Sequence, residues 1–277
     1  MASGTVVVTG ASTGIGEATV LHLNELGFDA RAGVRKEEDA ERLRSQGVSP
    51  LRLDVTDADS VAAAASELGD APLAGLVNNA GIAVSAPVEF VPIDELRRQL
   101  EVNVVGQVAV TQALLPALRR GRGRIVNVSS IGGRIALPLA GPYAASKFAL
   151  EGLSDSLRRE VAQFGVEVSL VEPGGVKTPI WKKGTETAEQ MAAGMPPEAE
   201  QLYGGMVEVL RRETAKIAEE RGMEPEEVAR VIGQALTARR PRTRYMVGRD
   251  AKLRWAVAKR VPDRAFDRLI ARVFAGD

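Results

Sequence analysis

The chain of 277 residues predicts a doubly wound α/β fold, a parallel sheet covered by helices on both faces. Three observations carry that expectation. Short, near-continuous apolar runs alternate with stretches of helical periodicity along the sequence. The first run ends in a glycine turn that opens straight into a helical pattern. The hydrophobic share, 45%, is enough at this length to bury one substantial core, so residues 1–277 are read as a single domain.

The elements follow in order. Residues 5–9 (TVVVT) form the first strand, Gly10 to Gly16 the turn, and 17–26 a helix stopped by Gly27. Residues 29–34 give a second strand, 36–46 a charged helix, 50–53 a third strand and 58–68 an alanine-rich helix. A fourth strand at 73–77 leads into Asn78-Asn79-Ala80-Gly81, and 93–118 is one long helical span. Residues 124–128 (RIVNV) read as strand, 143–164 as helix, 166–171 as the sixth strand and 244–247 (RYMV) as a short seventh. Between 179 and 223 no strand signal appears. Methionines (Met191, Met195, Met206) and scattered aromatics suggest two irregular helices, read as a substrate lid leaving the carboxyl edge of the sheet or, more blandly, as an amphipathic surface excursion.

Composition excludes several kinds of chemistry. Lys and Arg (36) balance Asp and Glu (36), so nothing electrostatic argues for a nucleic-acid partner. Zero cysteines fit a reducing, cytoplasmic setting and remove disulfides and thiolate metal sites, and no metal site is expected. No signal peptide and no integral membrane segment are read. The single histidine, His22, falls in an early surface helix, so histidine-based catalysis is not expected.

What remains is tyrosine. Tyr143 and Lys147 in Gly141-Pro-Tyr-Ala-Ala-Ser-Lys147 are four apart, one helical turn, which sets an ammonium near a phenol. A free phenol titrates at roughly pH 10, and a neighbouring cation favours its ionised form. Glycines at 10, 14 and 16, after a strand and before a helix, suit the approach of a pyrophosphate to free backbone N–H groups.

Taken together, Thr9-Gly10-Ala-Ser12-Thr13-Gly14-Ile15-Gly16, Asn78-Asn79-Ala80-Gly81, Asn103 in Asn-Val-Val-Gly, Ser130, Tyr143-x-x-x-Lys147 and Pro173-Gly174 with Thr178 resemble the short-chain dehydrogenase/reductase family. More weakly, Gly248-Arg-Asp-Ala-Lys-Leu-Arg-Trp255 with Val261-Pro262-Asp263 is similar to the tail of its retinol and hydroxysteroid dehydrogenase branch. The resemblance implies a Rossmann fold. It also implies that Tyr143 is the acid/base, that Ser130 bonds the substrate oxygen, and that Lys147 lowers the tyrosine pKa and holds the nicotinamide ribose. Asn103 would anchor a water linking Lys147 to solvent. The cofactor would be contacted by Gly10, Ser12, Thr13, Gly14, Ile15, Gly16, Asp54, Val55, Asn79, Ala80, Gly81, Pro173, Gly174, Val176 and Thr178, besides Tyr143 and Lys147.

Cofactor choice turns on the end of the second strand. An NAD-selective site usually has an acid there, whereas this strand runs into Arg35-Lys36 with no acid before Glu37. Arg35 can grip a 2′-phosphate, with help from Thr13, which predicts NADP with NAD still possible. Alternatively, Arg35 and Lys36 merely begin a solvated helix. Ile131, Ile135, Leu137, Leu139, Pro142, Val176, Ile180 and Trp181 make the expected wall apolar, suited to a lipophilic alcohol, ketone or aldehyde. Arg134 could instead reach a carboxylate or carrier phosphate, and an acyl-thioester reductase and a non-catalytic NADP-binding regulator remain alternatives. Residues 248–277 form a helical extension. Its basic amphipathic stretch, 252–275, is compatible with peripheral membrane contact, a subunit interface or packing on its own domain. Homodimers or homotetramers are usual among relatives and are expected here.

Overall fold

The computed structural model describes residues 3–274. Seven parallel strands form one sheet in the order β3-β2-β1-β4-β5-β6-β7, with β1 at Thr5–Val8, β2 at Asp29–Val34, β3 at Ser49–Arg52, β4 at Leu73–Asn78, β5 at Arg124–Val128, β6 at Glu167–Pro173 and β7 at Arg244–Val247. The doubly wound reading is correct. Strand order reverses between β1 and β4, which pair Val7 with Leu76 and Val8 with Val77. The crevice beyond the carboxyl ends of these two strands is where such sheets bind ligands.

Side chains alternate across the sheet because the strand period is two. Val6 and Val8 face one core with Val20 and Leu23 of α1 (Gly14–Glu25) and Val228 and Ile232 of the helix Pro225–Thr237. Val7 faces the other, with Val61 of α3 (Ala58–Leu68) and Leu114 and Leu118 of the helix Gly106–Gly121. The second helix, α2, is Glu37–Ser45.

The span expected at 93–118 is helical but not uniform. It comprises α4 (Ile93–Leu100), a π-helical turn (Glu101–Val105) and α5 (Gly106–Gly121). The wide turn carries Asn103, and such interruptions recur at functional sites. Helix α6 covers Gly141–Val161. The segment 179–223 holds two regular helices rather than irregular ones, α7 (Ile180–Ala192) and α8 (Pro197–Lys216), followed by a second π turn (Ile217–Arg221). Met191 packs with Val84 and Ala86 in a small cluster of its own.

Helix α9 (Pro225–Thr237) is an element the sequence analysis passes over. Its signals are present: Pro225 opens it, Glu226 and Glu227 occupy the first turn, and Val228, Ile232 and Leu236 recur every fourth residue. The basic C-terminal stretch breaks at Pro262 into α10 (Arg249–Ala258) and α11 (Asp263–Phe274). Only Ala251 of these two helices is buried, and residues 275–277 of the expected extension lie outside the described residues. Among the described residues no helix is long and apolar enough to cross a membrane.

Candidate active site

The site is built on the ends of β1, β4, β5 and β6. After β5, Ser130 adopts extended backbone and its Oγ accepts from the Gly132 N–H at 3.0 Å, capping a 3-10 turn at Ile131–Gly133. A Cβ on Gly132 would lie 3.1 Å from Cε1 of Tyr143 and 3.4 Å from Ser130 Oγ. Gly132, which motif reasoning did not single out, is therefore what lets the serine and the tyrosine meet.

Tyr143 and Lys147 lie one turn apart near the start of α6, whose first turn is opened by Pro142. Lys147 is 5% exposed; its Nζ donates to the Val128 carbonyl at 2.8 Å and lies 5.8 Å from the centre of the Tyr143 ring. Burial pushes the lysine down to about 8, opposed by Glu151. The expectation that Lys147 lowers the Tyr143 pKa needs correction for the chain by itself. Burial pushes the phenol up from its ordinary value, and the hydrogen bond with Ser130 is what pulls it back. The ammonium is engaged with the Val128 carbonyl, and loss of water, which disfavours a phenolate, is the larger influence on Tyr143.

Asn103 is fully buried in the π turn. Its Nδ2 donates to the Ile82 carbonyl at 3.0 Å and to Ser146 Oγ at 3.1 Å, while its Oδ1 accepts from the Ile82 N–H at 2.9 Å. Ser146 Oγ donates in turn to the Tyr143 carbonyl at 2.7 Å. Asn103 thus ties the loop after Gly81, at Ile82, to the first turn of α6. His22 sits on α1 beside Gly233 of α9, away from this cluster.

The glycine turn packs against the end of β4. Thr9 Oγ1 accepts from the N–H groups of Asn79 and Ala80, both at 2.9 Å, and Asn79 Nδ2 donates to the carbonyls of Thr9 (3.1 Å) and Gly10 (3.0 Å). Asn79 was expected along a cofactor, and here it holds the turn. A Cβ on Gly16 would fall 2.3 Å from the Gly10 carbonyl oxygen, so no larger residue fits. Gly14, with φ +59°, faces Thr178, whose Cγ2 would lie 3.0 Å from an added Cβ. Thr13 makes no side-chain cap, and among the described residues the first-turn N–H groups at Gly14, Ile15 and Gly16 have no side-chain partner. A narrow cradle bounded by the turn and Thr178, with free N–H groups at its floor, fits a dinucleotide pyrophosphate.

At the end of β2 the Arg35 side chain is 71% exposed, its Nη1 3.9 Å from Asp54 Oδ2. Lys36 pairs with Glu38 at 2.9 Å, which leaves Arg35 as the more available cation. Together with Arg52, Asp54 and Ser60, Arg35 lines a hollow of about 370 Å³. Val55 is buried under the start of α5, where only Gly106 fits against its carbonyl. Arg42 of α2 escaped the sequence reading. Its guanidinium donates to the Ser12 carbonyl at 2.5 Å and pairs with Glu17, fastening the glycine turn from outside.

The loop after β6 completes the site. Gly174 N–H donates to the Val247 carbonyl at 2.9 Å, Gly175 N–H to Asp250 Oδ2 at 3.2 Å, and Trp181 Nε1 to the Val176 carbonyl at 2.6 Å. Ile135 and Leu139 are buried, while Ile131, Leu137, Pro138, Ile180 and Trp181 are partly exposed. Arg134 does not reach this wall. It bonds the buried Glu172 at 3.0 Å and stacks over Trp255 at 5.4 Å.

Residues 4–189 match the short chain dehydrogenase family. This chain belongs to that family. As a short-chain dehydrogenase it is an oxidoreductase acting on CH–OH groups, and the resemblance seen in its motifs is correct. The dehydrogenase is 40% identical to retinol dehydrogenase 5 of Mus musculus, with 96% of this chain and 87% of that one covered. It is 37% identical to an NADPH-dependent 3-dehydrocapnine reductase of Ornithobacterium rhinotracheale, covering 95% and 94%. A solved short chain dehydrogenase of Burkholderia cenocepacia in complex with NADP is similar at a TM-score of 0.75 and 27% identity, over 98% of this chain and 97% of the other.

Proposed function

We propose that this dehydrogenase interconverts a lipophilic alcohol and its ketone or aldehyde, using NADP, with Tyr143 as the acid/base. The observation that carries the reading is the convergence of buried Ser130 and Lys147 with half-buried Tyr143. When bound, the nicotinamide supplies or accepts the hydride. The Ser130 hydroxyl holds the reacting oxygen, and the Tyr143 hydroxyl gives it a proton in reduction or removes one in oxidation. A phenol kept high by burial is protonated across the physiological range, which suits it to donate in the reductive direction. Lys147 contributes a positive charge behind the phenol and a donor for ribose hydroxyls.

Arg35 at the end of β2, and the absence of an acid there, support NADP over NAD. The NADPH dependence named for the Ornithobacterium relative and the NADP in the Burkholderia structure support it too. An apolar wall of Ile131, Leu137, Ile180 and Trp181, with Arg134 occupied by Glu172, supports a lipophilic substrate over an anionic one. We read residues 179–223 as the substrate lid. Val105 and Phe148, 50% and 46% exposed near the start of α5 and on α6, support association of copies through those helices.

The test is a parallel fluorescence titration with NADPH and NADH, followed by a panel of lipophilic ketones and aldehydes. Tighter NADPH binding with oxidation on adding a carbonyl compound is expected. Binding of neither dinucleotide would overturn the reading.

A further inference from the structure

Along α6, Tyr143, Lys147, Glu151 and Asp155 recur every fourth residue and so lie in one stripe. Two of them are buried charges, Lys147 at 5% and Glu151 at 6% exposure. A buried ammonium is costly without a countercharge. Among the described residues the one protein hydrogen bond of Lys147 Nζ goes to a neutral carbonyl, that of Val128.

The charges packed around this stripe come from four elements. Helix α6 supplies Glu151 and Asp155, the 3-10 turn is followed by Arg134, Glu172 stands one residue before the end of β6, and β7 contributes Arg244. Arg244 bonds Glu151 Oε2 at 3.0 Å and Asp155 Oδ2 at 2.9 Å, and Asp155 is shared with Arg158. Glu172 lies between Arg134 at 3.0 Å and Arg244 at 3.3 Å, and burial, with Glu151 nearby, pushes its carboxyl up. Glu151 differs. Its Oε1 is buried and has no hydrogen-bond partner among the described residues. Gly133 makes room for it: a Cβ there would sit 3.2 Å from Glu151 Cγ and 3.1 Å from the Lys147 carbonyl oxygen.

We propose that Glu151 is a positioning residue of the site, the countercharge that keeps Lys147 an ammonium beside Tyr143. Nothing assigned to the site so far includes it, and the inference rests on reading Tyr143 and Lys147 as the working pair. Glu151 is also the group whose field opposes the downward push of burial on the lysine. Like the other carboxylates of the cluster it meets arginines, Arg244 at 3.0 Å and Arg134 at 3.7 Å, but both reach its Oε2 and leave Oε1 without a partner among the described residues.

The consequence is a pH profile. Carbonyl reduction needs the phenol protonated and the lysine charged, and because Tyr143 is pushed up while Lys147 is pushed down, the lysine sets the alkaline limb. Removing the Glu151 charge lowers the lysine further, so the limb moves to lower pH. For E151Q we expect the alkaline limb of kcat for reduction of a ketone by NADPH to fall by about one pH unit. The rate at pH 6 stays within about threefold of wild type, since there the lysine is charged in both forms.

A second readout needs neither cofactor nor turnover. In cofactor-free protein labelled with 13C at lysine Cε, the NMR titration midpoint of Lys147, assigned with K147M, should drop in E151Q. It should drop by less in E151D, which keeps the charge one methylene further back. An unchanged Lys147 midpoint in whichever of the two variants folds would overturn the proposal. Should wild type reduce no carbonyl compound, the functional reading fails, while the NMR midpoints still decide the role of Glu151.

Discussion

Met223 clasps the end of β6 at Gly175: its N–H donates to the Gly175 carbonyl at 3.0 Å, and its own carbonyl accepts from the Lys177 N–H at 2.9 Å. The chain leaves β6 after Pro173, runs through α7 and α8, and returns to bridge Val176 with Met223. On the other side Asp250 of α10 holds the Gly175 N–H. The loop thought to touch cofactor is therefore shaped by residues far along the sequence.

Asp250→Ala should weaken NADPH binding roughly fivefold, since one solvent-exposed hydrogen bond to a carboxylate contributes about 1 kcal/mol. Asp250→Asn keeps an acceptor and should bind within about twofold of wild type. Because Asp250 also sits in the first turn of α10, both variants should lose a few tenths of a kcal/mol in urea unfolding. Equal NADPH affinity in the alanine and wild-type proteins would show that the bond does not shape the loop.

Tyr143→Phe removes the proton donor and little else. Turnover should fall by about three orders of magnitude or more, near the upper range for general acid catalysis. NADPH affinity, read by fluorescence, should change less than about threefold because the ring and Lys147 remain.

Arg35→Ala addresses cofactor choice. Loss of a charge-assisted contact to phosphate costs about 1.5–3 kcal/mol, so NADPH should bind roughly tenfold or more weakly. NADH, with no 2′-phosphate, should be affected less than about twofold. Parallel titrations decide it, and equal losses would remove Arg35 from that role.

Lys147→Met trades activity for stability. The folded-state value of Lys147, about 8, lies below the ordinary 10.5. Carrying its charge therefore costs stability fully below pH 8, less between 8 and 10.5, and nothing above. The shift corresponds to about 3 kcal/mol, from which the lost bond to the Val128 carbonyl subtracts about 1. Urea unfolding at pH 7 should find the methionine variant more stable by about 2 kcal/mol, with the advantage gone near pH 10.5.

Much of this was legible in the residues themselves. Strand and helix periods located every strand, and the spacing of Ser130, Tyr143 and Lys147 brought together groups that do meet. What stayed hidden depends on three-dimensional contact. Gly132 looks like any loop glycine until Tyr143 is placed over it. Arg42 and Glu151 read as helix-surface charges because nothing local says that one reaches Ser12 and the other is buried beneath Arg244. The sign of the Tyr143 shift was missed for the same reason, since adjacency of Lys147 is visible in the sequence and burial is not. Helix α9 carries ordinary start signals, Pro225 with Glu226 and Glu227, yet its apolar face shows its partner only once it packs on α1.

The pairing of β1 with β4 bears on how the protein is made. The turn after β1 has its carbonyls tied to Asn79, 69 and 70 residues further on. During synthesis the first strand emerges with its central partner still untranslated, and until β4 arrives an apolar edge that will become the middle of the sheet stands open. Such distant pairing slows folding. A ribosome-bound chain halted before residue 79 would hold the complete glycine turn in its sequence and yet lack the groups that give the turn its shape.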